Sequence, residues 1–557
     1  MESRRLVYVL TGIAVALILV LGGLTLALFA GGGGDDDGGS AGQNGGDESP
    51  GPDLGERVAG ELRLFGPDPL SLDPACASDA GSAEYIVEIF SGLVSFGRDL
   101  EIIPDIAESW DVSPDGAVYT FHLRTNVTFH DNSRRVSADD FKFSMERALN
   151  PDTQSTVAEV YLDDLVGVED FINGDADEIT GIKVVNPDTL ELTIKAPSEV
   201  FLEKLTYPTG YVVDSREVAD STCFEGNWTL TPNGTGPFKM GQWELGKKIV
   251  LEPNEAFYLD PKPSLSKVTY ILSGGSSFTM YENDEVDLTG VGINNIESVR
   301  DTSNPLNKEY HQSPSLDVFY IGFNVNQPPF DDPDVRKALN MAVDKDFLAN
   351  DFLEKLATPA TGVLPPGMPG YNENLNAPEF DKDAAKDLLD STGKKDDLNG
   401  VKILTSGQGA APSDILQAVV AMWQDNLGVT IEIEQEDFGL FLRDLDDGTF
   451  DMFSLGWIAD YPDPQNFLDI KFHSDSANNE TGYSNSKVDD LLEQARTEKD
   501  EAKRLDLYQQ AEELIVEDSS WVPLYHGTNS YLVKPYVEGY DVPAFVLPNL
   551  RYVTINK

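Results

Sequence analysis

The chain has 557 residues, with 40 basic against 96 acidic side chains and a formal net charge of −56. Its length allows roughly two to four domains and a sizeable core, while the charge excludes nucleic acid and anionic membrane surfaces as partners, because phosphate binding needs clustered Lys and Arg. Only seven acidic residues fall within the first 55 positions, so the excess coats the folded part and is not confined to a tail.

Leu6 to Ala30 is an apolar run of about 25 residues, preceded by Arg4 and Arg5 and followed by Gly31 to Gly34 and Asp35 to Asp37. Such a run spans a bilayer, and the Arg pair keeps the N-terminus in the cytoplasm. A cleavable signal ending at Leu28-Phe29-Ala30 is the rival; the length of the run favours an uncleaved anchor. No cysteine near its end could take a lipid, and on either reading the remainder is exported. Gly31 to Gly55 is rich in Gly and Asp with almost no apolar residues, so it reads as a flexible tether. Cys76 and Cys223 are the only cysteines. Two thiols in an oxidising compartment suggest one disulfide, with two separate buried thiols as the alternative.

Tyr119, Phe121 and Leu123 alternate with polar neighbours and predict a strand. Ser137 to Asp140 looks like a capping box, opening a helix with Phe141, Met145, Ala148 and Leu149 on one face, ended by Pro151. Asp332 and Pro333 open another, with Val335, Ala338, Leu339, Ala342 and Val343 as its apolar stripe. A short helix from Asp381 to Leu389 closes near Gly393. An apolar run from Phe450 to Leu455 reads as a buried strand. Ser486 to Glu517 predicts a helical pair burying Val488, Leu491, Leu492, Leu505, Leu514 and Ile515, followed by strands at Trp521–Tyr525 and Tyr531–Val533. Helices and strands interspersed in this way predict an α/β or α+β class with several lobes.

No motif supports catalysis. Gly241 to Lys248 nearly spells a phosphate-binding loop, but Lys248 stands where Ser or Thr must reach magnesium, and a strand-turn-strand fits better. Asn173, Asp175 and Asp177 have the spacing of a calcium loop, yet Glu178 occupies the position that needs glycine. His122, His130, His311, His473 and His526 lack metal-ligand spacing, and no nucleophile elbow or zinc-protease pair is present. The expectation is a protein that is not an enzyme and needs no metal or cofactor.

The segment Gly456 to Pro464 places Asp460 between Trp457 and Tyr461 where the predicted strand ends. A carboxylate walled by aromatics in a low-dielectric cleft suits a ligand ammonium group; a strand end running into a Tyr-Pro-Asp-Pro turn is the plainer reading.

Taken in order, further segments resemble extracellular solute-binding protein family 5, and within it the periplasmic oligopeptide- and dipeptide-binding proteins of ABC importers. They are Ser71-Leu72-Asp73-Pro74, Ile106 to Trp110, Tyr119 to Arg124, Phe129-His130-Asp131, Ser137 to Phe141, Asn233 to Phe238, Pro329 to Leu339, Gly448 to Asp451, Gly456 to Pro464 and Leu532 to Tyr540. The resemblance runs from Ser71 to the C-terminus. It implies an α/β, periplasmic-binding-protein-like fold (type II, cluster C), with two main lobes around a ligand cleft, an extra inserted lobe, and the transmembrane helix in front. Residues 1–30 would be anchor or signal and 31–55 linker. The first lobe would combine 56–97, 197–315 and 531–557, the second would be 98–196 and the third 316–530. Both cysteines would then lie in the first lobe, which favours a Cys76–Cys223 disulfide.

The same resemblance implies that Asp460 meets a peptide α-ammonium, while Gly456, Trp457 and Ile458 on one side and an extended segment Ser78, Asp79 and Ala80 on the other hydrogen-bond the peptide backbone. Trp457, Phe438, Phe319, Tyr320 and Tyr161 match aromatics that line the cleft, and Tyr461 flanks the aspartate. Leu445, Ser454 and Pro412 occupy the approximate positions of basic residues that meet the peptide carboxylate in some relatives, so the far end of the ligand has no evident partner. The implied function is an extracytoplasmic substrate-binding protein, monomeric, that captures a peptide or other amine-bearing solute by hinge closure and delivers it to ABC permease subunits served by cytoplasmic ATPases. The alternatives are a ligand-binding module for a membrane sensor and, on weaker grounds, an exported peptide hydrolase.

Overall fold

The computed structural model describes residues 55–557 apart from 219–220, 224–225, 408–411, 541 and 549. The apolar run from Leu6 to Ala30, and the tether up to its last residue, lie outside these residues. Among the described residues, no helix is long and apolar enough to cross a membrane.

Local sequence rules set most elements. The capping box expected at Ser137 is present: Asp140 reaches back to the Ser137 N–H at 2.8 Å and opens the helix Ala138–Leu149. Asp332 caps the helix Pro333–Met341, and Asp381 caps Lys382–Thr392, which ends at Gly393 in the left-handed region. The strands Phe238–Glu244 and Lys248–Pro253 form the hairpin expected around Gly241 to Lys248, with Gly246 at φ +68° in its corner. The helical pair is Ser486–Thr497 and Glu501–Asp518.

Three sheets carry the architecture. In the first, Glu61–Phe65 runs parallel to Lys267–Ile271, which is followed by Lys248–Pro253 and Phe238–Glu244. The second is an antiparallel sheet of Ala107–Val112, Val118–Leu123, Thr189–Thr193 and Ile182–Asn186, whose inward residues pack on the helix Ala138–Leu149. The third orders Leu288–Gly290, Trp521–Val533, Asp317–Phe323, Met452–Ile458, Lys402–Ser406 and Glu432–Glu436, with Tyr310–Pro314 and Ala357–Pro359 also paired to Trp521–Val533.

Trp521–Val533 corrects the sequence reading. The two short strands expected there are one continuous strand. His526 to Ser530 are polar and interrupt the apolar pattern, which hides the strand. Tertiary pairing overrides the pattern: Thr358 and Pro314 stand opposite His526 and Thr528, and His526 and Asn529 are buried with their side chains bonded to backbone carbonyls. The first half of this strand pairs with Asp317–Phe323, and its second half with Leu288–Gly290 and Tyr310–Pro314.

Cys76 and Cys223 form a disulfide across 147 residues of sequence. It fastens the segment leading to Ser78 against the backbone around Thr153, whose carbonyl accepts the Cys223 N–H at 2.9 Å. Closing so long a loop restricts the unfolded chain. The double variant Cys76→Ser/Cys223→Ser should therefore lose about 2–5 kcal/mol of stability, read as a lower urea midpoint than the oxidised wild type. At the centre of the third sheet, Gly456 stands opposite Phe319, and a Cβ on Gly456 would come within 2.8 Å of the Phe319 ring. That ring cannot swing away freely because it stacks on Tyr525 with centroids 4.7 Å apart. Gly456→Ala should cost about 1–3 kcal/mol by overpacking, and an unshifted denaturation midpoint would refute that tight fit.

Candidate ligand-binding site

The strand Met452–Ile458 pairs along its whole length with Asp317–Phe323 on one side. On the other side it pairs with Lys402–Ser406 only at Met452 and Phe453, so from Ser454 to Ile458 that edge has no strand partner among the described residues. An unpaired edge offers backbone N–H and C=O groups to an added strand. The chain then turns through Ala459 to Pro464 into the helix Gln465–Phe472.

Asn466, fully buried on that helix, organises the turn. Its side-chain amide donates to Asp460 Oδ2 at 2.9 Å, its Oδ1 accepts the Asp460 N–H at 2.9 Å, and its backbone carbonyl accepts Trp457 Nε1 at 3.0 Å. From the helix Ala158–Leu162, Tyr161 donates its hydroxyl to Asp460 Oδ2 at 2.5 Å. Tyr161 stacks on Tyr207 with centroids 3.6 Å apart and planes within 5°, and Tyr207 donates to the Ala77 carbonyl at 2.8 Å. The carboxylate is thereby tied, through two aromatic rings, to the segment just before Ser78.

Burial pushes the Asp460 carboxyl up to about 6, offset only in part by the Asn466 and Tyr161 hydrogen bonds and by the charge of Lys471. Lys471 is itself committed. It is buried, pairs with Glu480 at 2.5 Å and lies 4.0 Å above the Trp457 ring centroid. Asp460 thus has two neutral donors and no cation of its own among the described residues.

The other expected residues are distributed unevenly. Trp457 and Ile458 follow Gly456 on the open edge, and Tyr161 meets Asp460 beside Trp457. Tyr461 is wholly buried with its hydroxyl bonded to Gln465, so it braces the turn. Phe319 and Tyr320, both expected in the cleft, point to opposite faces because side chains alternate along a strand. Tyr320 is fully buried and stacks on Trp521 at 3.4 Å, on the face shared with Trp457, whereas Phe319 stacks on Tyr525 behind the sheet. Phe438 is half-buried at the start of the helix Phe438–Asp446, 6.3 Å from Phe441.

The segment Ser78 to Ala80 is not extended throughout. Ser78 is exposed, Asp79 is extended and caps a helix by accepting the Ser82 N–H at 2.8 Å, and Ala80 is the first residue of that helix, Ala80–Ile89. The helix-capping preference of aspartate wins over strand continuation here. Tyr207, Asn466 and Lys471 escaped the sequence reading. Tyr207-Pro208 signals only a turn, and nothing local marks Asn466 or Lys471.

Residues 101–479 match the pattern of the bacterial extracellular solute-binding proteins, family 5 Middle. The periplasmic oligopeptide-binding protein OppA of Escherichia coli is 31% identical over 494 residues, covering 86% of this chain and 89% of that protein. Among solved structures, the murein tripeptide binding protein MppA of Escherichia coli superposes with a TM-score of 0.79 at 27% identity, over 89% of this chain and 98% of its own. The binding protein DppA of Helicobacter pylori, in complex with the peptide STSA, gives a TM-score of 0.79 at 27% identity, over 90% of this chain and 99% of its own. The extent of both matches carries the α/β, two-lobed architecture across nearly all of the described residues. This chain belongs to the bacterial extracellular solute-binding proteins of family 5.

Proposed function

We propose that this protein is the substrate-binding component of an ABC importer and captures short peptides by their free α-ammonium group. The observation that carries this reading is Asp460, a desolvated carboxylate with neutral donors only, at the end of an unpaired strand edge. A ligand ammonium would supply the missing positive charge, and the peptide backbone would add to the Ser454–Ile458 edge as a further strand. Main-chain bonding of this kind holds many sequences, with side-chain preference left to the surrounding pockets. Trp457 and Tyr161 would flank the amine end. Capture would close the 316–530 lobe onto the lobe built from 56–97, 197–315 and 531–557, with 98–196 as the inserted lobe, and docking on the permease would favour reopening. The apolar run at residues 6–30 would tether the protein at the outer face of the cytoplasmic membrane. Binding and release complete this role, with no chemical step on the ligand. The peptide relatives support the reading by what they are named for, and mass spectrometry of whatever co-purifies with the protein is the direct check on ligand class.

Asp460→Asn should weaken binding of free-amine peptides by about 2–5 kcal/mol through loss of a buried charge pair, while leaving N-acetylated peptides nearly unaffected. Equal losses for both peptide sets in calorimetry would sink the ammonium role. The carboxyl must be ionised to pair with the amine, and burial raises it to about 6 in the unliganded site. Affinity should therefore fall as pH drops through that value, by up to about tenfold per pH unit, and this acid limb should vanish in Asp460→Asn.

A further inference from the structure

The wall that brings Tyr161 to Asp460 continues along the seam between residues 157–207 and 459–508. Val157, Tyr161, Val200 and Tyr207 share one buried core with Ala459, Tyr461, Phe467 and Tyr508. Within that seam, Arg504 holds Asp463 through two hydrogen bonds, at 2.6 and 3.1 Å, and both side chains are largely buried. This pair is internally neutral. Against it, from the short helix Phe201–Lys204, comes Glu203, whose Oε2 is buried with no hydrogen-bond partner.

The surroundings give Glu203 no cation to claim. Arg504 is spent on Asp463, and Tyr461 has its hydroxyl bonded to Gln465. On its own helix, Lys204 turns to Asp163 at 2.9 Å and Asp164 at 2.6 Å. Burial, reinforced by the charge of Asp463 and only partly relieved by Arg504, pushes the Glu203 carboxyl up to about 8. Glu203 is half-buried with its Oε2 wholly enclosed, so an ionised carboxylate there is costly and the neutral acid is the form this seam accommodates.

We propose that closing the cleft takes up a proton on Glu203, so that the protein grips its ligand more tightly in mildly acidic than in alkaline surroundings. This rests on the hinge closure described above. Opened to water, Glu203 titrates as an ordinary carboxylic acid, near about 4.3. Between that range and about 8, the closed form is protonated and the open form is not. Closure therefore weakens as pH rises across this window, by up to about tenfold per pH unit, and levels off once Glu203 is ionised in both forms. The Asp460 effect has the opposite sign and ends at about 6, so the two offset each other below that value, where the Asp460 limb emerges alone in Glu203→Gln, and affinity falls above it.

The test is calorimetric titration of the full chain with trialanine between about pH 6.5 and pH 8.5, in buffers of differing ionisation enthalpy, for wild type and Glu203→Gln. Wild type should lose about tenfold or more in affinity across the range and take up close to one proton on binding. Glu203→Gln, the same shape without that titration, should keep only the shallower loss and smaller uptake that come from the trialanine α-amine deprotonating at about 8. Asp463→Asn should bring the profile to the same shallower slope with Glu203 in place, because Arg504 is then free to neutralise it. Parallel profiles in all three proteins overturn the proposal. If trialanine binds none of them, the peptide reading fails separately, and small-angle scattering of the unliganded proteins decides this one. Wild type should contract as pH falls while Glu203→Gln keeps one size, and an identical pH response in both overturns it.

Discussion

The proposed amine site depends on one electrostatic constraint: a carboxylate taken out of water without a cation. Asp460 is held by Tyr161 and Asn466, which orient it but cannot neutralise it. The ammonium whose charge reaches it, that of Lys471, is used up by Glu480 and the face of Trp457. Such an arrangement is a poor way to stabilise an empty protein. It is a good way to make an incoming amine worth more than the same contact in water, because the desolvation has already been met by the fold. The aspartate is accordingly surrounded by groups that fix its direction, and the fixing groups come from parts of the chain far apart in sequence.

The relatives and the geometry support one another at different levels. Similarity over most of the chain establishes the family and the two-lobed architecture. The geometry adds what similarity at this distance cannot: which side chains of this particular chain are placed where. Phe319 and Tyr320 show the difference, since a matched position becomes a cleft wall only if the strand turns that residue inward, and these two neighbours face opposite ways.

Much of the local structure was legible in the sequence. Ser137, Asp332 and Asp381 announced their helices because capping acts over three or four residues. The Asp460 segment was legible through its order among the other motifs. What was hidden acts at long range. The Tyr161–Asp460 bond joins residues separated by 299 positions. The Glu203 environment is made by Asp463 and Arg504, which no pattern near residue 203 announces. The helix at Ala80 was missed for a smaller reason: its cap, Asp79, lies in a stretch judged by resemblance alone, and the aspartate reorganised the backbone there.

The strand Trp521–Val533 has a bearing on how the protein comes to exist at all. Both halves of the architecture draw on it: Asp317–Phe323 through its beginning, Leu288–Gly290 and Tyr310–Pro314 through its end. During synthesis these edges have nothing to pair with until nearly the whole chain has emerged. The fold therefore cannot be completed piecemeal from the N-terminus. For a polypeptide destined to be threaded through a membrane, that delay is an asset, since a chain unable to lock early stays thin enough to pass.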